Sequence, residues 1–158
     1  LSGLRAALSF SSSLEELAMA TRTDFTQPQA GLLGEARTTK TLGRRVTMVA
    51  ADLTTGNVVE AFVVPAGFTV TGIIAVASDM DTNGSPTLAL SVGDSGSSTR
   101  FLSSSTIGQA GTSTTTLAST GLLFAYTADT KILVTATTGS ATAAAGTLDL
   151  YLVGFVAG

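Results

Sequence analysis

Two residue types that carry much of protein chemistry are missing from this chain: it has no cysteine and no histidine. Without cysteine there is no disulfide framework, no thiolate nucleophile and no indicator of redox compartment. Without histidine there is no Ser-His-Asp arrangement, no His-ligated zinc and no imidazole base. Any catalysis would have to run on Asp, Glu, Lys, Ser, Thr or Tyr. Tryptophan is absent too, and there are only two tyrosines, which leaves an aromatic platform for sugars poorly supplied. The aromatic residues Phe62, Phe68, Phe101, Phe124, Tyr126, Tyr151 and Phe155 read mostly as core. Charge is scarce as well: 12% of residues are charged, about half the usual share for a soluble domain. No apolar run is long enough to span a bilayer, because Gly, Thr or Asp interrupts each one, and the first residues lack the pattern of a secretory signal, so a soluble chain with no membrane partner is expected.

What is present is 158 residues, 44% of them apolar, with abundant Ser, Thr, Ala and Gly. That is the length of one domain with a sizeable core. A surface of Thr, Ser and Ala is weakly solvated and suits contact with other protein. The net charge of −3 is unevenly spread, with six basic and four acidic residues over 1–47 and two basic and seven acidic over 48–158. A mildly basic arm on an acidic body follows, and no basic patch with interleaved aromatics calls for nucleic acid.

The clearest pattern lies in 60–94. Residues 58–64 are apolar and β-branched and stop at Pro65-Ala66-Gly67. Residues 68–77 alternate, with Phe68, Val70, Ile74 and Val76 expected on one face, and 87–92 alternate again after Asn83-Gly84. Asn-Gly between alternating runs signals a tight turn, so 68–77 and 87–92 are expected to pair as an antiparallel hairpin. Further strands are predicted over 46–53, 100–103, 122–127, 132–137 and 147–156, the last with Leu148, Leu150 and Leu152 facing inward. About eight short strands separated by Gly, Ser, Asp and Pro turns point to an all-β fold, an antiparallel β-sandwich of jelly-roll type or a small barrel.

Ahead of the strands, 1–20 carry the one helical pattern, with Ser13-Leu14-Glu15-Glu16 as a capping box for a short helix. Met19-Ala20-Thr21-Arg22 reads as the opening of a gene product, which leaves 1–18 as an extension, a processing remnant or an engineered segment. Residues 21–45 have no periodicity and read as an extended arm. In that arm Phe25, Leu32, Leu33 and Leu42 could anchor by apolar contact, and Arg22, Arg37, Lys40, Arg44 and Arg45 could meet carboxylates of a partner. The division is therefore 1–45, helix and arm, and 46–158, sandwich. The loop 103–120 and the small-residue stretch 138–146 read as places where a second surface comes close.

Motifs for chemistry are weak. Asp79-Met80-Asp81-Thr82-Asn83-Gly84 matches the first half of a calcium loop, but Leu90 stands where the bidentate Glu belongs. A turn with Asx hydrogen bonds accounts for the same residues; weak calcium binding at Asp79, Asp81 and Asn83 is the alternative. Gly93-Asp94-Ser95-Gly96 lacks the lysine and helix of a phosphate loop. No metal and no cofactor are expected.

Residues 46–158, with VPAGFTVTG, SDMDTNGSPTLALSVGD, RFLSSSTIGQAG and the ending YTADTKILVTATTGSATAAAGTLDLYLVGFVAG, resemble head decoration or cement proteins of tailed bacteriophages. The resemblance implies a β-sandwich seated on the capsid exterior, an N-terminal arm reaching neighbouring subunits, the major capsid protein as partner, and no catalytic residues. The resulting expectation is a structural virion protein, not an enzyme, that self-associates as a homotrimer and stabilises the shell. Two alternatives are a tail or fibre-associated module that recognises a host receptor or glycan, and a histidine-free hydrolase with two convergent carboxylates.

Overall fold

A computed structural model describes residues 38–156. Eight strands follow in order: β1 (Lys40–Met48), β2 (Val58–Val64), β3 (Phe68–Ala77), β4 (Ala89–Asp94), β5 (Ser97–Ser105), β6 (Ser113–Thr114), β7 (Thr130–Thr138) and β8 (Gly146–Val156). They form two four-stranded antiparallel sheets, one in the order β1-β8-β3-β6 and the other β2-β7-β4-β5. The pairing is nested: β4 pairs with β5, β3 with β6, β2 with β7 and β1 with β8. The described chain is thus one long hairpin, turning at Ser95-Gly96 between β4 and β5 of one sheet and rolled so that the strands before and after that turn alternate between sheets. This is a jelly-roll β-sandwich, as expected from the strand count and turns.

Period-two alternation builds the core. On β8 the side chains of Leu148, Leu150 and Leu152 are fully buried, and on β7 Ile132, Val134 and Ala136 face them from the opposite sheet. Phe68, Phe101, Met80 and Leu88 fill the remaining interior. Strand β8 sits between β1 and β3, and its buried positions are Leu148, Leu150, Leu152 and Gly154, the last leaving room for the Phe68 ring.

Several expectations are corrected. Strands β3 and β4 do not form a hairpin, since they lie in opposite sheets. Met80 and Leu88 in the connection are fully buried and draw it across the end of the sandwich. Asn83-Gly84 makes only a bend, in which Asn83 Oδ1 accepts the Ser85 amide at 2.9 Å. The face assignment of β3 also changes, because a bulge between Val70 and Gly72 shifts its register against β8. One extra residue exchanges the faces: Phe68 and Val70 point inward, but beyond the bulge Ile73, Ala75 and Ala77 do, and Ile74 and Val76 are exposed.

The first strand begins at Lys40, inside the stretch expected to be arm, and ends at Met48 rather than Leu53. Residues Ala50–Leu53 form a 3-10 turn, started where Asp52 Oδ2 accepts the Val49 amide at 2.9 Å. Gly43 is required in β1, because a Cβ there would strike the Leu150 carbonyl oxygen of β8. Residues 122–127 are not a strand: they hydrogen-bond along β3 with one isolated bridge, Ala125 to Thr69. The expected loop 103–120 instead contains the short β6 and a 3-10 turn at Ile107–Gln109, and Ile107 is buried against the core. The helix expected in 1–20 lies outside the described residues.

Candidate functional site

At the β4–β5 turn, Asp94 sits inside a shell of donors. Its Oδ1 accepts the amides of Gly96 (2.9 Å) and Ser97 (3.0 Å) and Arg100 Nη2 (3.1 Å). Its Oδ2 accepts Arg100 Nε at 2.6 Å and the Tyr126 hydroxyl at 2.8 Å. The residue is 4% exposed. Burial alone would raise its pKa, but the bonds from Arg100, Tyr126 and the two amides outweigh burial and hold it below the ordinary carboxylate value. Burial, then the bond to the ionised Asp94, push the Tyr126 hydroxyl above its usual range. The guanidinium of Arg100 lies 3.7 Å from the centroid of the Phe124 ring, and the Phe124 and Tyr126 rings meet edge to face at 5.0 Å. A cavity of about 220 Å³ opens beside this cluster. Chemically the arrangement holds an ionised acid, a charged base and a protonated phenol in fixed partnership. It locks residues 124–127 against the sheet; it offers neither a proton acceptor near neutrality nor a free nucleophile.

The loop at the other end of β4 turns on Asp81. Its Oδ2 accepts the amides of Thr87 (2.7 Å), Leu88 (3.0 Å) and Ala141 (3.0 Å), and its Oδ1 that of Thr142 (2.9 Å). Burial opposes the charge, but these four amides hold the pKa below the ordinary value. Donors aimed at a carboxylate make a positive field, the reverse of what a calcium site needs, and the bonds tie together residues 78–88 and 138–146. The small residues of 138–146 therefore do approach a second surface, one belonging to the same chain. Among the described residues no group of three or more acidic side chains is placed to hold a metal.

Of the residues expected to contact a partner, Arg22, Phe25, Leu32, Leu33 and Arg37 lie outside the described residues. Lys40, Arg44 and Arg45 lie on β1, which is an edge strand. Arg45 meets a carboxylate of its own chain, with Nε to Asp149 Oδ1 and Nη2 to Oδ2 both 2.7 Å. The bond from Arg45 lowers the Asp149 pKa. Arg44 borders a cavity of about 210 Å³ together with Glu60, Phe62 and Lys131, and Lys131 Nζ pairs with Glu60 Oε1 at 2.8 Å.

The residues that sequence reasoning missed are exposed and apolar. Ile74 and Val76 stand on the outer face of the first sheet, where the register sets Ile74 beside Tyr151 and Val76 beside Asp149. Val58 and Val63 project from edge strand β2, and Leu122 and Leu123 from the segment beside β3. Period-two counting puts Ile74 and Val76 on one face with Phe68 and Val70, because the bulge is invisible to it. The ion-pair cluster did leave one trace, since Arg100 and Lys131 are the only basic residues after position 47.

No protein-family model matches the chain, and no curated protein matches it. Among solved structures it is similar to a chain of the cyanophage Pam1 capsid asymmetric unit, at 34% identity and a TM-score of 0.69, over 78% of this chain and 88% of that one. A chain of the Ralstonia phage GP4 capsid matches at 25% identity and a TM-score of 0.64, over 77% and 84% of the two chains. The fold alone is shared with a chain of the acidic stable capsid of Helicobacter pylori bacteriophage KHP30, at 13% identity and a TM-score of 0.50, over 73% and 93%. The location that these neighbours share is the virion. With a third of its residues identical across most of the Pam1 capsid chain, this chain belongs to that family of bacteriophage capsid-associated structural proteins.

Proposed function

We propose that the chain decorates the exterior of a bacteriophage head and stabilises it by binding the lattice of the major capsid protein. The observation that carries this reading is the 34% identity with a phage capsid chain on a jelly roll that leaves aliphatic side chains exposed on both sheets. A ligand that binds only the assembled lattice shifts the equilibrium away from disassembly by mass action. Residues 1–38 supply the arm, with Arg22, Phe25, Leu32, Leu33 and Arg37 as contacts, and Lys40, Arg44 and Arg45 on β1 are presented at the edge of the sandwich. The protein acts as a homotrimer, so that several weak contacts add through effective concentration. It is not an enzyme: the buried acid–base cluster around Asp94 and Arg100, among the described residues, is committed to internal bonds. A glycan-binding role has less support, because a sugar platform needs exposed rings, and among the described residues Phe68, Phe101 and Tyr126 are buried and the other aromatic residues only partly exposed.

Co-sedimentation with empty capsids tests this, comparing the full chain with one starting at Thr39, which leaves β1 whole. Saturable binding that weakens without the arm is expected. Failure of the full chain to bind would overturn the proposal and favour a tail or receptor role.

A further inference from the structure

Two leucines are held out from the body, the second of them on a backbone that disfavours it. Ser119–Gly121 forms a 3-10 turn beside β5, closed by the Gly121 amide on the Ala118 carbonyl at 2.9 Å and joined to the sheet by the Ala118 amide on the Phe101 carbonyl at 2.9 Å. Gly121 is buried against β5, and a Cβ there would stand 2.7 Å from the Arg100 carbonyl oxygen. The next two residues, Leu122 and Leu123, are 57% and 62% exposed.

Leu123 has φ of +58°, the left-handed region that L-residues with a Cβ adopt at a cost and that glycine or asparagine tolerates far better. The segment is pinned on both sides. The Leu123 amide donates to the Val70 carbonyl at 2.8 Å, and the Val70 amide to the Phe124 carbonyl at 2.9 Å. Phe124 itself is clamped under Arg100. The two side chains are therefore not exposed because the loop is loose, and they contribute little to this chain's own core. A backbone outlier that the fold maintains without local benefit is where a function is sought.

We propose that Leu122 and Leu123 are an apolar anchor that inserts into a nonpolar pocket of the capsid shell, an inference that rests on the lattice-binding reading. The area favours the shell over a second copy of this chain. Two leucines expose roughly 200 Å² together, far short of the roughly 1,200 Å² that a stable two-chain interface buries. Such a contact is effective when repeated across a lattice, where it adds to others. Rigid presentation lowers the entropy lost on docking.

The test uses the full chain and three variants: Leu123→Asn, which suits the left-handed backbone, Leu122→Ser, and both together. Three quantities are read: the thermal midpoint of the free protein, its molar mass by light scattering, and binding to empty capsids. The Leu123→Asn protein is expected to melt at or above the wild-type temperature, with unchanged mass, while capsid affinity falls about tenfold for each leucine removed. Wild-type binding that all three variants retain would overturn the anchor and leave the lattice reading standing. A change in molar mass with capsid binding intact would assign the leucines to self-association and overturn the proposal. Absence of binding by the wild type would remove the lattice reading and the anchor together. If Leu123→Asn lowers the melting temperature, the strain argument fails, and Leu122→Ser, at a residue with ordinary backbone, then decides the anchor alone.

Discussion

Replacing Asp94 by alanine removes the acceptor on which five donors converge: the Gly96 and Ser97 amides, two guanidinium nitrogens of Arg100 and the Tyr126 hydroxyl. The Arg100 side chain is only 15% exposed, so water reaches it poorly once its partner is gone. Breaking a buried pair from one side costs about 3–5 kcal/mol, because an unpaired charge is left in place. Set against a total stability of about 5–15 kcal/mol, that is a large fraction. Unfolding entropy of about 2.1 cal/mol/K per residue, over the roughly 120 described residues, gives about 0.25 kcal/mol/K. The expected fall in Tm is therefore about 12–20 °C, read by calorimetry at pH 7. Replacing both partners, Asp94→Leu with Arg100→Met, is expected to restore part of the loss, because no orphan charge remains. A drop below about 4 °C for Asp94→Ala would show that the cluster is solvated and would refute the reasoning.

Other outcomes follow from the same structure. Asp81, Asp94 and Asp149 all have pKa values lowered on folding. Their contribution is present above the unfolded carboxylate value of 3.8 and is lost as pH falls through the folded values. Melting temperatures should decline below about pH 4, less so in Asp81→Asn, and a flat profile from pH 7 to 2 would contradict the assignment. Tyr126 has the opposite sign: its raised pKa gives stability that is present below the unfolded value of 10.0 and is lost as pH rises through the folded one. A Tyr126→Phe variant should abolish that alkaline component of the melting curve. Leu150→Ala, in the centre of β8 with no exposed surface, should cost about 2–5 kcal/mol in urea unfolding. Lys131→Met should leave the urea midpoint within error, because both partners of its ion pair are about 60% exposed and water screens them.

How far the fold could be read from the residues depended on the range of the interaction. Strands β2 and β3 were read with their observed ends, and β7 and β8 nearly so, because alternation and Gly or Pro stops are local signals. Their pairing was not readable. Asn83-Gly84 looks like a hairpin turn locally, and only the burial of Met80 and Leu88, a tertiary fact, sends the chain to the other sheet. The first six residues of β1 read as arm because an edge strand with Lys40, Arg44 and Arg45 at exposed positions shows little apolar alternation; only its end from Val46 is legible as strand. Segment 122–127 is an apolar run of strand length, yet the left-handed backbone of Leu123 breaks the pleat. The same φ angle that defeated the strand assignment turns Leu122 and Leu123 outward. The burial of Asp81 and Asp94 is not legible in the sequence, because the contacts that close over them, the Tyr126 hydroxyl on Asp94 and the Ala141 and Thr142 amides on Asp81, come from residues distant in sequence.

The claim that the protein stabilises a phage head is tested most directly by the heat resistance of empty capsids titrated with the full chain. Release or exposure of shell interior can be followed by dye access during a temperature ramp. The account predicts a disruption temperature that rises with added protein and levels off at a fixed number of copies per capsid, as mass action on the assembled lattice requires. Capsids that fail at the same temperature at every protein concentration, while the protein remains folded, would contradict it.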